Sequence, residues 1–106
     1  MELGEYQARA ALFARYPREK ELEYLTLGLV GEAGEVANKV KKILRGDTVD
    51  ENPDAAIAAE LGDVLWYLSQ LAAHFQIDLD LVAFNNLNKL RSRAQRDVLK
   101  GSGDNR

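Results

Sequence analysis

Apolar residues recur in this chain at intervals of three and four positions, and this spacing constrains the fold more than any other feature. The longest example runs from Lys20 to Leu44. Such a period places apolar side chains on one face of an α-helix. β-Branched residues are few and never alternate cleanly with polar ones, as a half-buried strand would require. The sequence therefore predicts an all-α fold.

Local signals divide the chain into four helices. The first is expected to end before Pro17, because the residue before a proline avoids the helical region. Gly46 fits the C-terminal cap of the second helix. Asn52 and Asp78 fit the N-caps of the third and fourth, and Pro53 suits the first position of the third. The predicted helices span residues 3–15, 20–44, 53–75 and 79–96.

The length of 106 residues and an apolar fraction of 46% suit one domain with a single core. Short connections between helices imply antiparallel neighbours, so we expect a four-helix, bundle-like domain over residues 1–96. Residues 97–106 contain two glycines and are predicted to form a C-terminal tail. A domain this small has a high ratio of surface to volume, which favours a homo-oligomer.

Composition argues against several classes of function. The net charge of −3 gives no basis for sequence-independent binding to a nucleic acid backbone. The absence of cysteine excludes disulfides and thiolate metal sites. No apolar run approaches the roughly 20 residues that span a bilayer. The first residues lack the basic and apolar regions of a signal peptide. We therefore expect a cytoplasmic protein that binds neither nucleic acid nor membrane.

Two pairs of acidic residues lie on the second and third predicted helices. Glu32 and Glu35 form one pair, and Glu60 and Asp63 form the other. Spacing of i, i+3 places both carboxylates of a pair on one helix face. The third helix is otherwise apolar almost all round, which is typical of a buried helix. Since an unpaired buried carboxylate is costly, a hard divalent cation with oxygen ligands is expected there. A solvated charged face is the alternative, and it explains one such pair better than two.

Gly28, Gly31 and Gly34 flank the two glutamates of the second helix. Each glycine costs about 1 kcal/mol relative to alanine inside a helix. This cost predicts that another helix or a ligand approaches that surface closely.

The fourth helix carries Lys89 and Arg93 on one face, while Leu87, Leu90 and Ala94 are expected to face the core. Two like charges at i, i+4 repel each other mildly. An anion bound between them would make their interaction energy favourable. Phosphate suits both side chains, lysine as a point charge and arginine as a bidentate fork. Carboxylates that hold a metal, together with such cations, are what a metal–triphosphate complex requires. The alternative is an ordinary solvated face.

The sequence from Gly31 to Val36, Gly-Glu-Ala-Gly-Glu-Val, is followed by Glu-Leu-Gly-Asp-Val from Glu60 to Val64. This pair of motifs resembles the ExxE…ExxD signature of the MazG-like, all-α nucleoside triphosphate pyrophosphohydrolases. Tyr6-Gln7 is similar to the first helix of that family, and Lys89-Leu90 with Arg93 to its last-helix KLxxR pattern. The resemblance covers nearly the whole chain.

The resemblance implies hydrolysis of a nucleoside triphosphate between its α- and β-phosphates, with Mg²⁺ as cofactor and Mn²⁺ able to substitute. It also implies a tetramer. Activation of water is assigned to Glu32 or Glu35. The implied metal ligands are Glu32, Glu35, Glu60 and Asp63.

Other residues carry weaker implications. Lys89 and Arg93 would hold phosphates. Lys39 is a further phosphate candidate, although it could simply pair with Glu35. Tyr67 is similar in position to a base-contacting tyrosine of dCTP-cleaving relatives, and core packing is its alternative role. The base preference stays open, because Ala94-Gln95 stand where that branch has Tyr-Pro.

Three other functions compete with this one. Phosphoribosyl-ATP pyrophosphohydrolase is a related enzyme that would use the same carboxylates. A ferritin-like dimetal bundle needs Glu-x-x-His motifs, but Leu71 stands three residues before His74, which is the single histidine. We expect His74 to be a satisfied helix-end residue. A non-enzymatic helical interaction module is disfavoured, since interface cores are depleted in charge. Nucleotide house-cleaning and control of nucleotide pools are both open roles.

Overall fold

The computed structural model describes residues 1–46, 51–97, 101, 103 and 104. Within this part of the chain every secondary-structure element is a helix and there is no strand, which confirms the predicted all-α fold. The α-helices are α1 (Leu3–Ala10), α2 (Glu21–Arg45), α3 (Pro53–His74) and α4 (Leu79–Gln95). Two 3₁₀ turns, Ala11–Phe13 and Arg18–Lys20, lie between α1 and α2. Residues 47–50 of the predicted loop and most of the predicted tail lie outside the described residues.

Three of the predicted helix ends, at Gly46, Asn52 and Asp78, are confirmed by their capping geometry. Asn52 Oδ1 accepts a hydrogen bond from the backbone N–H of Ala55 at 3.2 Å. Asp78 Oδ1 accepts one from the N–H of Asp80 at 2.8 Å. Gly46 caps α2 in the left-handed region at φ 75°, a conformation that glycine adopts without steric cost.

The first helix is shorter than predicted. It ends at Ala10, tightens into a 3₁₀ turn and becomes extended at Ala14. The chain is held there by Tyr16, whose ring stacks on Tyr24 with centroids 5.1 Å apart and whose hydroxyl donates to Glu21 Oε1 at 2.7 Å. These contacts direct the chain toward α2, so α1 ends before residue 15, which is the end predicted from the sequence.

Helices α2 and α3 form the main packed pair, and they are antiparallel. Their contacts run in opposite directions along the two helices, through Glu21–His74, Gly28–Tyr67 and Glu32–Glu60. Helix α1 packs against α3 and α4, whereas α4 makes only limited contact with α3. The radius of gyration is 16.7 Å, against about 13 Å for a compact domain of this length. The single chain is therefore more open than a closed bundle.

Few apolar side chains are fully buried. Among the described residues these are Ala10, Leu25 and Leu79. Two predictions about burial are wrong for the single chain. Helix α3 is not covered all round, since Leu61 is 52% exposed, and on α4 Leu87 is 52% exposed. One chain does not supply enough helices to cover these faces. None of the described helices combines the length and hydropathy that crossing a bilayer requires.

Candidate functional site

Three carboxylates converge where α2 and α3 pack together. Glu32 on α2 and Glu60 and Asp63 on α3 each contribute one oxygen, and these oxygens all lie within 4.8 Å of one another. Glu32 and Glu60 are half-buried and Asp63 is exposed. The antiparallel pairing of the helices thus brings together acids that are about 30 positions apart in the sequence. We call Glu32, Glu60 and Asp63 the acid cluster.

Glu35, the fourth predicted ligand, is exposed on α2 and is not one of these three converging carboxylates. It lies one helical turn beyond Glu32, and its charge still acts on the Glu32 carboxyl. The structure therefore brings three of the four predicted ligands together and leaves Glu35 at the edge of the cluster.

The charges of the acid cluster affect the pKa of the Glu32 carboxyl. Burial raises the pKa of its carboxyl, and the negative charges of Asp63, Glu60 and Glu35 raise it further, together with a hydrogen bond to Glu60. Neighbouring carboxylates and partial burial both disfavour the ionised form. The charged cluster is therefore a source of repulsion within the metal-free fold.

A divalent cation fits this arrangement. Oxygen ligands of octahedral Mg²⁺, at about 2.0–2.1 Å from the ion, lie about 3–4 Å from one another. The oxygens of the acid cluster lie within 4.8 Å of one another, which is close to that spacing. The donors are all carboxylate oxygens, which hard cations prefer. Glu32, Glu60 and Asp63 are thus the residues that would hold such an ion.

An aromatic group adjoins the acid cluster. The Tyr67 ring packs directly against Gly28, where a side chain would overlap it. Trp66 meets the same ring edge-on at 5.0 Å, and Tyr24 lies at 6.2 Å. Burial raises the pKa of the Tyr67 hydroxyl, as do a hydrogen bond to Tyr24 and the charges of Glu32 and Asp63. Tyr67 is therefore packed within the chain and also close to the acids.

The close approach predicted for the three glycines holds for one of them. Gly28 is required by the Tyr67 ring. Gly31 and Gly34 are exposed, and nothing lies within 4 Å of the position that a side chain would occupy. At these two positions no described part of the chain makes the close approach, and the expected approach of a ligand there stays a prediction.

Lys89 and Arg93 surround a single carboxylate oxygen. Asp104 Oδ1 lies 3.1 Å from Lys89 Nζ and 3.3 Å from Arg93 Nη2. Arg93 is only 5% exposed, so it is not part of a solvated face. Lys39 is half-buried on α2 and is engaged in an interaction of its own. No described contact joins the Lys89–Arg93 pair to the acid cluster.

Several structurally important polar residues were missed from sequence. Gln7 was noted only through the family resemblance, yet its side chain contacts three segments of the chain. Gln70 is buried and donates to the backbone carbonyl of Gln7 at 3.2 Å. The sequence feature that could have identified Gln70 is its position as a polar residue within an otherwise apolar helix. His74 Nδ1 lies 3.2 Å from Glu21 Oε2, so this histidine is satisfied at a helix end, as predicted.

The helical pair with its acid cluster can now be compared with known proteins. The family model described as the MazG nucleotide pyrophosphohydrolase domain matches residues 20–97. The chain belongs to this family of nucleotide pyrophosphohydrolases. Gene 37 protein of Mycobacterium phage L5 is 51% identical over 115 aligned positions, and the alignment covers all of both chains. Its name states no activity, and no solved structure matches the chain.

Proposed function

We propose that the protein is a Mg²⁺-dependent nucleoside triphosphate pyrophosphohydrolase that releases a nucleoside monophosphate and pyrophosphate. The observation that carries this proposal is the convergence of Glu32, Glu60 and Asp63 on the packed α2–α3 pair. Family membership supports the class of reaction, hydrolysis of a nucleotide phosphoanhydride. Mn²⁺ is proposed to substitute, because it also takes carboxylate oxygens.

The acid cluster would hold the metal, which when bound neutralises phosphate charge and lowers the pKa of coordinated water. Glu35 is exposed beside the cluster and completes the set as a further ligand or as the acceptor of the water proton. Glu32 is the other candidate acceptor, because the raised pKa of its carboxyl makes the ionised carboxylate a stronger base.

Lys89 and Arg93 are proposed to bind the phosphates. Their placement around one Asp104 oxygen supports this role, because an oxyanion is already accommodated between them. Lys39 is a weaker candidate for the same role. Tyr67, packed beside the acid cluster, is proposed to contact the nucleobase.

We further propose that the protein is a homo-oligomer, a dimer at least, with a tetramer implied by the family resemblance. Large apolar side chains are exposed on helices α2, α3 and α4, among them Leu27 at 72%, Leu61 at 52% and Phe84 at 60%. Exposed apolar surface on this scale marks an association site. Nucleotide substrates place the proposed activity in the cytoplasm, in house-cleaning or in control of nucleotide pools.

The test is a screen of purified protein against canonical and modified nucleoside triphosphates and phosphoribosyl-ATP, with Mg²⁺, with Mn²⁺ and with EDTA. We expect metal-dependent appearance of pyrophosphate in equal amounts with the monophosphate. Glu60→Gln should abolish turnover, whereas Glu19→Gln, an exposed residue far from the cluster in sequence, should not. Release of orthophosphate alone, or full activity in EDTA, would contradict the proposal.

A further inference from the structure

Gly103 and Asp104 lie on the Lys89–Arg93 pair. Besides the contacts of its carboxylate, Asp104 accepts a hydrogen bond from Arg93 Nη2 through its backbone carbonyl at 3.0 Å. The carbonyl of Gly103 accepts from the same nitrogen at 3.4 Å. Both residues lie beyond positions 20–97, where the family match ends. The acceptor groups on the pair therefore come from outside the family match, whereas the two cations lie within it.

The arginine at this site is incompletely satisfied. Arg93 is 5% exposed, and its Nε is buried without a hydrogen-bond partner. The Nε–H and one Nη2–H of a guanidinium lie along one edge, so two oxygens of a single oxyanion can bind both. Asp104 places only one carboxylate oxygen on Nη2, and shares that oxygen with Lys89. The site is thus built for an oxyanion, but the tail fills it only in part.

We propose that Asp104 is a built-in competitor of the substrate, a carboxylate that occupies the Lys89–Arg93 pair until a polyphosphate displaces it. The inference rests on the phosphate-binding role proposed above for these two cations. Displacement lets a phosphate use the Nε donor that the tail leaves unpaired. The tail therefore weakens binding of a polyphosphate while leaving the cations themselves intact.

The competition is expected to be modest. The Asp104 side chain is 81% exposed, and such ion pairs are weak. Hydrogen bonds from Lys89 and then from Arg93 lower the pKa of the Asp104 carboxyl, so the carboxylate is ionised at neutral pH. The short tether between Arg93 and Asp104 keeps the local carboxylate concentration high. Together these effects weaken binding of a polyphosphate by roughly two- to five-fold.

The experiment is calorimetric titration of the metal-free, full-length protein with inorganic tripolyphosphate. Asp104→Asn should lower the Kd two- to five-fold relative to wild type. Asp97→Asn is the matched control, because it removes the same charge from an exposed position whose φ of 58° asparagine tolerates. An unchanged Kd for Asp104→Asn, or an equal shift for Asp97→Asn, would overturn the inference. In an Arg93→Ala background the effect of Asp104→Asn should shrink, and an undiminished effect would also overturn it.

A second measurement follows the tail directly. On saturation with tripolyphosphate, the ¹⁵N heteronuclear NOE of the Gly103 amide should fall as the tail leaves the pair, and an unchanged NOE would count against displacement. Neither measurement needs turnover. A protein that shows the Asp104 effect but hydrolyses no triphosphate would contradict the proposed reaction alone. An active protein without the Asp104 effect would contradict this inference alone.

Discussion

Gln7 Oε1 accepts a hydrogen bond from the backbone N–H of Leu79 at 3.0 Å. The amide nitrogen of the same side chain donates to the carbonyls of Ser69 at 3.0 Å and Ile77 at 2.9 Å. The N–H of Leu79 is one of the donors that the first turn of α4 leaves without a helical partner. One glutamine on α1 therefore joins α3, the connection after it and the start of α4.

We expect Gln7→Leu to destabilise the protein by about 2–3 kcal/mol, because it leaves part-buried backbone groups without their partner. In a domain of this size the melting temperature should fall by on the order of 10 °C. Gln95→Leu is the matched control, an identical change at an exposed position at the end of α4. Thermal melts of both variants decide the point, and equal losses would contradict the role assigned to Gln7.

The Gly28–Tyr67 contact yields a second prediction. Gly28→Ala should destabilise the fold by about 1–3 kcal/mol, because the new methyl group overlaps the Tyr67 ring, which also packs edge-on against Trp66. Gly31→Ala introduces no contact within 4 Å and should instead stabilise helix α2 by up to about 1 kcal/mol. Urea unfolding of the two variants should give changes in the free energy of unfolding that are opposite in sign. A stabilising Gly28→Ala would refute the packing of this ring.

These residues also show what sequence reasoning could reach. Helix caps such as Asn52 and Asp78 were predictable because their chemistry is local to a few residues. The acid cluster followed from the i, i+3 spacing on two adjacent helices. The three glycines looked alike, yet only Gly28 faces a packed helix, since a helical period does not say which arc of the helix another element covers.

The buried residues of α4 were predicted less well for the same reason. Its apolar residues were expected to face the core, whereas Leu87 is exposed and Arg93 is buried. Burial of Arg93 depends on Gly103 and Asp104, which no periodicity links to the helix. Long-range contacts of a tail, and faces left for a second copy, are not encoded in local spacing.

The third prediction concerns the repulsion within the acid cluster. Glu32→Gln removes a carboxylate whose pKa is raised by burial and by its acidic neighbours, so the metal-free variant should melt a few degrees higher than wild type. Wild type should gain about 2.7 kcal/mol from Mg²⁺ at a hundred-fold excess over Kd, on the order of 10 °C. Glu32→Gln should lose most of that gain, and the Glu19→Gln control should keep it. A variant less stable than wild type in EDTA would disprove repulsion at this site.

The fourth prediction is the pH dependence of stability without metal. The raised pKa of Glu32 means that its contribution is most favourable below the ordinary glutamate pKa and is lost as pH rises through the raised value. Glu21 acts in the opposite sense. Hydrogen bonds from Tyr16 and then His74 lower its pKa, so its stabilisation is present above the ordinary value and is lost as pH falls through the lowered one.

Denaturant unfolding between pH 3 and 7 in EDTA separates these two groups. Relative to wild type, Glu32→Gln should lose less stability as pH rises through the raised pKa of Glu32. Glu21→Gln should lose less stability as pH falls through the lowered pKa of Glu21. Saturating Mg²⁺ should reverse the Glu32 contribution, because a bound cation stabilises the ionised carboxylate. Identical pH profiles for the two variants would show that neither carboxyl titrates as its contacts imply.

The last prediction concerns the homo-oligomer and the sharing of site residues between its copies. Light scattering at micromolar concentration should return at least twice the 11.8 kDa chain mass. We expect a second copy to cover the apolar faces that are exposed on α2, α3 and α4. Helix α4 makes only limited contact with α3 in its own chain, and we expect its cations, once Asp104 is displaced, to serve the acid cluster of the neighbouring copy.

Paired variants test this sharing of residues. Arg93→Ala should lower kcat/KM roughly ten- to a hundred-fold by removing a charge-assisted hydrogen bond, and Glu60→Gln should be inactive. When the two chains are co-expressed, half of the dimers are mixed and one of their two sites is intact, so activity should return to about a quarter of wild type. Co-expression of Glu32→Gln with Glu60→Gln is the control, because both changes fall in one acid cluster and every site keeps a defect. If the first mixture is no more active than its parts, while light scattering still shows an oligomer, then each chain supplies its own phosphate-binding cations and α4 must move toward α2 when substrate binds.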